Sequence, residues 1–269
     1  MQDRYVADVG DFGKYGLLRA LCAVEPTWGT RTYDLSLGVV WYLVPDEEGT
    51  ADGGHIGWLN QDPRTMRRFM NCDPDLYHIL LRMVQSGERS VRAVRERWVL
   101  PEGTAFYEEV LSFAGMPGIG KAATERRLER RKAWAWDALA ATRGCDLVFA
   151  DPDNGLEPRA GLPRHRLNGP KYTYFDELVP YLDRGQSLVI YHHLHHNLAH
   201  ESQVRDRLSQ VEERLGPAFA LRFPPGTGRA FFVVPAEAHR ETLYERATRL
   251  VRHRCWSEHF TLYGPEGPE

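Results

Sequence analysis

Three runs of apolar residues stand out along the chain, and turn-forming residues bound each of them. They cover residues 37–44 (LGVVWYLV), 146–150 (DLVFA) and 187–191 (SLVIY). Because few polar residues interrupt these runs, both faces of each segment are expected to be buried. The pattern predicts three strands in the middle of a parallel sheet.

Other segments place apolar residues at helical spacing. The pattern predicts an N-terminal helix over residues 13–24, capped by Asp11, and further helices over residues 174–182 and 202–215. Residues 60–143 show helical stripes throughout, and no strand is predicted there.

Two shorter strands are predicted at residues 219–223 and 230–234, where a turn rich in Pro and Gly separates them and favours a hairpin. Strands that alternate with helices predict an α/β fold with a mostly parallel sheet, to which the hairpin adds an antiparallel part. We expect one α/β domain over residues 1–269, with residues 60–143 as a helical insertion.

Composition narrows the class of protein. A hydrophobic fraction of 42% and a charged fraction of 26% are ordinary for a folded protein. No apolar run approaches the roughly 18 residues of a membrane span, and the four cysteines lack the spacing of a zinc cluster or a disulfide framework. We therefore predict a cytoplasmic protein with reduced thiols and no membrane partner, while its oligomeric state stays open.

The net charge of −3 excludes a generally basic surface, so any contact with nucleic acid depends on a local patch. The predicted helix over residues 121–143 carries seven cationic side chains against three carboxylates, beside Trp134 and Trp136. This helix is the candidate nucleic-acid surface. A solvated helix face with both tryptophans in the core is the more common explanation of such a pattern, and we favour it.

Polar residues directly after apolar strands are the first candidates for a site, because ligands of open parallel sheets collect at the carboxyl ends of the strands. The strongest candidate is the loop of Asp151, Pro152, Asp153 and Asn154, although a simple tight turn has the same composition. Asp46 follows the first strand and is a candidate for binding ribose hydroxyls. The histidine cluster at residues 192–196 follows the third strand.

Within that cluster, His192 and His193 lie nearest the strand and are candidates for proton transfer. At the other end of the chain, Gly10, Asp11 and Lys14 open the first predicted helix, where backbone N–H groups and a lysine favour an anion. A cap with close helix packing is the alternative there, since the order of a Walker loop is absent.

The order of these motifs resembles that of the large-subunit ribosomal-RNA adenine-N6 methyltransferases. The resemblance is carried by the opening YVADVGDFGKYGLLRAL, the strand LGVVWYLV, the central helices, LVFADPDNG, SLVIYHH and the hairpin. It implies a Rossmann-like methyltransferase-type sheet with S-adenosylmethionine as cofactor. It also implies that Asp151 and Pro152 hold the target amino group and that Gly10, Asp11 and Lys14 approach the cofactor.

Two departures from that family are visible. Asp153 and Asn154 replace its Pro-Tyr pair, so the ring that would stack on a flipped base is missing, and Tyr172 or Tyr174 would have to substitute. The segment PDEEGTADGG after the first strand has no G-x-G. We therefore expect a methyltransferase without a metal, acting on nucleic acid or on a small-molecule amine or hydroxyl.

Two alternatives remain open at the level of sequence. One is a phosphodiesterase or nuclease that uses Mg²⁺ or Mn²⁺, with Asp151, Asp153, His192 or His193, and Asp11 as ligands. The other is a non-catalytic protein of the methyltransferase fold that binds a nucleotide or a partner.

Overall fold

The computed structural model describes residues 1–24, 32–47, 53–59, 63–116, 118–195 and 198–264. The helices in these ranges are α1 (Val9–Cys22), α2 (Pro63–Met70), α3 (Pro74–Ser86), α4 (Val91–Glu96), α5 (Lys121–Ala141), α6 (Phe175–Leu182), α7 (His200–Leu215) and α8 (Arg240–Arg252). The strands are β1 (Leu37–Val40), β2 (Ala105–Tyr107), β3 (Leu147–Ala150), β4 (Gly155–Leu156), β5 (Tyr172–Thr173), β6 (Ser187–His193), β7 (Phe219–Phe223), β8 (Arg229–Val234) and β9 (Thr261–Tyr263).

The central sheet has seven strands in the order β2-β1-β3-β6-β8-β7-β9. The pairs β1–β2, β1–β3 and β3–β6 are parallel, whereas β8 is antiparallel to both of its neighbours, β6 and β7. This arrangement confirms the α/β class, the mostly parallel sheet and the antiparallel hairpin, and it is compatible with a Rossmann-like fold. The order of the strands reverses between β1 and β3, which is where ligands bind in open sheets of this kind.

The prediction that residues 60–143 contain no strand is wrong. Strand β2 lies in that range and pairs with β1, with Val39 opposite Phe106. It escapes the sequence pattern because it has only three residues and stands between helical segments. The range 60–143 therefore contributes an edge strand to the central sheet as well as helices.

Helices cover both faces of the sheet. On one face, helices α1, α2, α3, α4 and α8 enclose a core that includes Leu147, Phe149 and Phe231. On the other face, α5, α6 and α7 enclose a second core that includes Val148, Ile190 and Phe232. Successive side chains of β3 and β6 point into these two cores in turn, so both faces of each strand are buried. This explains why the two strands are apolar throughout.

The first helix begins earlier than the sequence pattern predicts. Its cap is Asp8, whose side chain accepts a hydrogen bond from Asp11 N at 2.9 Å, so the prediction of Asp11 as the cap is wrong. Gly13 and Gly16 let α1 approach the C-terminal part of the chain, because a Cβ atom at either position would overlap Phe223 or Trp256. Helix α1 is thereby fixed against the hairpin and against the segment that follows α8.

Strand β1 ends at Val40, four residues before the predicted end, because Tyr42 adopts a positive φ of 39° and turns the chain away from the ladder. Strand β6 continues to His193, two residues beyond the prediction, since β8 pairs with it along that length. None of the described helices combines the length and the apolar character that crossing a membrane requires.

Candidate functional site

A cavity of about 370 Å³ opens where the carboxyl ends of β1, β3 and β6 meet, beside the reversal of the strand order. The predicted site residues that line it are Gly10, Asp11, Lys14, Asp151, Pro152, Asp153, Asn154 and His193. Two predicted residues, Asp46 and His192, are not part of its wall. The structure thus brings the start of α1 and the loop after β3 together, although they are distant in sequence.

Lys14 is the central cation of the site. Its Nζ lies 2.8 Å from Asp11 Oδ1 and 2.8 Å from Asp151 Oδ2, and its side chain is 5% exposed. The rings of Tyr15, Trp41 and Tyr191 stand 5.5–5.9 Å from the same nitrogen. Burial opposes the charge, but the two carboxylates outweigh burial, so the pKa of Lys14 is raised and the ammonium is fixed.

Asp151 lies at the end of β3, where its backbone N–H donates to Val40 O at 3.0 Å. Burial raises the pKa of its carboxyl, and the ammonium of Lys14 opposes that rise. One oxygen, Oδ2, is engaged by Lys14. The other oxygen, Oδ1, has no donor among the described residues and is an acceptor that the cavity offers to a ligand.

Asp153 connects the loop after β3 to the N-terminal segment. Its Oδ2 accepts from Gln2 Nε2 at 2.9 Å and lies 3.3 Å from Lys171 Nζ, while its Oδ1 lies 3.6 Å from the Met1 amino group. Burial opposes the charge on Asp153, but the neighbouring cations and Gln2 outweigh it and lower the pKa of the carboxyl. These contacts make Asp153 a residue that fixes the loop.

The two candidate histidines point to opposite faces of the sheet because side chains alternate along a strand. His193 lines the cavity together with Tyr191, two residues earlier. His192 lies in the opposite core against Phe232, and its Nδ1 accepts from Leu156 N at 3.2 Å. Burial lowers the pKa of His192 well below its usual value, so it is a neutral side chain that joins β6 to β4. His196 lies outside the described residues.

Asp46 is exposed and accepts from Arg4 N at 3.4 Å. Its neighbour Glu47 lines the cavity instead and lies 2.5 Å from Lys171 Nζ. Glu48 and Asp52, which belong to the same acidic segment, lie outside the described residues.

Several residues of the cavity were not expected from the sequence, among them Asp8, His55, Tyr191 and Arg229. Arg229 is 3% exposed, and its Nη2 donates to Thr227 Oγ1 at 2.7 Å. Arg229 is the first residue of β8, which runs antiparallel to β6. The amino end of β8 therefore lies beside the carboxyl ends of the parallel strands. The sequence feature that could have identified Arg229 is a charged residue at the start of an otherwise apolar strand.

The charges of the cavity are unequal. Five carboxylates and three side-chain cations line its described part, namely Asp8, Asp11, Glu47, Asp151 and Asp153 against Lys14, Lys171 and Arg229. In the described part of the chain, no three His, Cys, Asp or Glu side chains are arranged to hold a metal ion. The ammonium of Lys14 occupies the space between Asp11 and Asp151, where such an ion would be expected.

The basic helix α5 buries one of its two tryptophans and exposes the other. Trp134 is buried and donates to Glu109 O at 2.7 Å, whereas Trp136 is 67% exposed, so the prediction that both tryptophans lie in the core is wrong for Trp136. Arg131 is buried in an ion pair with Glu177 at 2.6 Å. The exposed face of α5 is therefore less basic than its sequence.

The tyrosines considered as substitutes for a base-stacking ring lie elsewhere. Tyr174 is 1% exposed, and the guanidinium groups of Arg131 and Arg164 stand 4.6 and 4.7 Å from the centre of its ring. Tyr172 is half-buried in β5 and does not line the cavity. In this structure neither ring is placed to stack on a base in the cavity.

In comparisons with known proteins, no family model matches the chain, and no curated protein matches it either.

Proposed function

We propose that the protein is a methyltransferase that uses S-adenosylmethionine, with cofactor and acceptor sharing the cavity at the reversal of the strand order. The observation that carries this proposal is the convergence of the start of α1 with the loop Asp151–Asn154 on that cavity. Both segments were assigned to one site by the resemblance in sequence, and a ligand is expected at this point of the sheet on topological grounds.

The chemistry of the residues present fits this cofactor. S-adenosylmethionine carries a sulfonium cation, and the excess of carboxylates around the cavity favours a cationic ligand. Glu47, rather than Asp46, faces the cavity and is placed to accept hydrogen bonds from ribose hydroxyls. Asp8 Oδ2 and Asp151 Oδ1 have no donor among the described residues, so they are acceptors for polar groups of ligands.

When bound, the cofactor supplies an activated methyl group. Asp151 is proposed to accept an N–H or O–H hydrogen bond from the acceptor through Oδ1, which orients the nucleophilic lone pair and receives the proton that the acceptor releases. Lys14 holds Asp151 in place through Oδ2 and favours its charged form. Asn154 lines the same cavity and is proposed to help orient the acceptor.

A small-molecule amine or hydroxyl is the acceptor that this site favours. Base flipping requires a ring to stack on the base, and the ring of Tyr174 is buried against two arginines. In the basic helix α5, Arg131 is buried in an ion pair with Glu177, so it is not available to bind a phosphate of nucleic acid. Methylation of nucleic acid is the less supported form of the proposal.

The proposal is tested by isothermal titration of the protein with S-adenosylmethionine, followed by detection of methyl transfer to a pool of amines and hydroxyl compounds by mass spectrometry. The Asp151→Asn variant is expected to bind the cofactor but to lose transfer. Asp137→Asn, which changes an exposed carboxylate of α5, is the matched control and should behave as the wild type. Absence of cofactor binding by the wild type would contradict the proposal and leave the metal-dependent phosphodiesterase and the non-catalytic protein as alternatives.

A further inference from the structure

Arg229 is buried but makes few of the hydrogen bonds that a guanidinium requires. The group has five N–H donors, and among the described residues the Thr227 hydroxyl is its one hydrogen-bond acceptor. Its Nε is fully buried without a partner. Burying a charge without adequate partners is costly, so such a group is expected to receive an anion from a ligand.

The surroundings of Arg229 place it against the start of α1. A Cβ atom at Gly10 would lie 1.2 Å from Arg229 Nη1, so the absence of a side chain at this position makes the room that the guanidinium occupies. Gly10 lies in the first turn of α1, where the helix dipole favours negative charge. The Gly10 N–H has no acceptor among the described residues, so two kinds of donor adjoin this part of the cavity.

Asp8 adds the opposite charge beside them. Its Oδ1 caps α1 through Asp11 N and lies 4.0 Å from Arg229 Nη1, which is too long for a hydrogen bond. Its Oδ2 remains available to a ligand. An acceptor next to a cation matches an α-amino-acid group, in which one carbon carries both an ammonium and a carboxylate.

We propose that Arg229 and Asp8 bind the α-amino-acid end of the ligand, with the carboxylate on Arg229 and the ammonium on Asp8. This inference rests on the proposed function, because S-adenosylmethionine has such an end, and it assigns that end to a place in the cavity. A phosphate group is the competing anion for Arg229, and titration with ADP tests it.

The test is isothermal titration with S-adenosylhomocysteine, with its decarboxylated analogue, which lacks the carboxylate, and with 5′-methylthioadenosine, which lacks the whole amino-acid end. The wild type should bind S-adenosylhomocysteine roughly tenfold to a hundredfold more tightly than the other two. Arg229→Gln should abolish the preference over the decarboxylated analogue. Asp8→Asn, which retains the cap of α1, should weaken both S-adenosylhomocysteine and the decarboxylated analogue, because both keep the ammonium, and should leave 5′-methylthioadenosine unchanged.

Arg222→Gln is the matched control. Arg222 belongs to the same hairpin and also has a buried Nε without a partner, but it does not line the cavity. Its substitution should leave all three affinities unchanged. Arg229→Lys keeps the charge and loses the planar fork, so it should restore part of the preference even if Arg229→Gln folds poorly.

Each outcome separates the two proposals. Equal affinity of the wild type for the three ligands, or an unchanged preference in Arg229→Gln, would overturn the assignment of Arg229 and leave the methyltransferase proposal intact. Binding of free L-methionine that depends on Arg229, without binding of S-adenosylhomocysteine, would overturn the cofactor and support the amino-acid site. If ADP alone binds, and its binding is lost in Arg229→Gln, the ligand group on Arg229 is a phosphate and not a carboxylate. If none of the probes binds, both proposals are overturned.

Discussion

Replacing Lys14 by Met tests whether the central ammonium holds the site together. The side chains have similar length, so the change removes the charge and leaves most of the packing. Lys14 is 5% exposed and lies 2.8 Å from oxygens of both Asp11 and Asp151. Removing one partner of a buried ion pair typically costs about 3–5 kcal/mol, and we expect a loss of unfolding free energy of this size at about pH 7.

The effect should depend on pH, and its sign follows from Asp151. Burial already raises the pKa of this carboxyl, and loss of Lys14 removes a cation that opposes the rise. In the variant, the folded state therefore retains a proton that the unfolded chain has released above its pKa of about 3.9. The stability of the variant falls as pH rises through the folded pKa, so the destabilisation should be smaller at about pH 4 than at about pH 7.

Urea denaturation followed by circular dichroism at both pH values measures the effect. Lys171→Met is the control, because Lys171 also pairs with two carboxylates but its side chain is 23% exposed, and a loss of about 1 kcal/mol is expected. A loss below about 1 kcal/mol in Lys14→Met, or a loss that is equal at both pH values, would refute the assignment of a buried, charge-dependent contact.

Three further predictions concern other parts of the molecule. The wild type should lose unfolding free energy as pH falls below about 6.5, because burial depresses the pKa of His192 in the folded state. In urea titrations, His192→Asn should reduce that loss between about pH 7 and pH 5 by roughly 2 kcal/mol, and an unchanged dependence of stability on pH would contradict a neutral His192. Gly10→Ala should displace the Arg229 guanidinium and weaken S-adenosylhomocysteine about tenfold by calorimetry, whereas wild-type affinity would show that the guanidinium is not needed there. Trp134→Leu should cost about 3 kcal/mol on thermal or urea unfolding and Trp136→Ser less than about 0.5 kcal/mol, and equal losses would mean that both rings are buried.

The sequence pattern locates the middle of the sheet better than its edges. Strands β3 and β6 are found because both of their faces are buried, which produces a continuous apolar run. Strand β2 has three residues and pairs on one side only, so it leaves no such run. Strand β9 was not predicted either, since it is equally short and pairs with β7 alone.

The candidate site was predictable where it follows parallel strands. The rule that ligands collect at their carboxyl ends finds Asp151 and His193, which line the cavity. It fails for Arg229, because that residue starts an antiparallel strand and reaches the same place from the opposite direction. To predict which of His192 and His193 lines the cavity, one must know which face of the sheet each side chain points to. The sequence of β6 does not reveal this, because the strand is apolar on both faces.

The contacts of α1 have a consequence for the order in which the protein forms. Gly13 and Gly16 pack against Phe223 and Trp256, and Gly10 lies beside Arg229, so the wall of the cavity that Gly10 and Arg229 form joins segments from opposite ends of the described chain. During synthesis, α1 emerges long before the hairpin that receives it. Contacts of such high sequence separation close late and slowly, so a chain arrested before residue 229 would lack this wall of the site even if the strands around β3 had already paired.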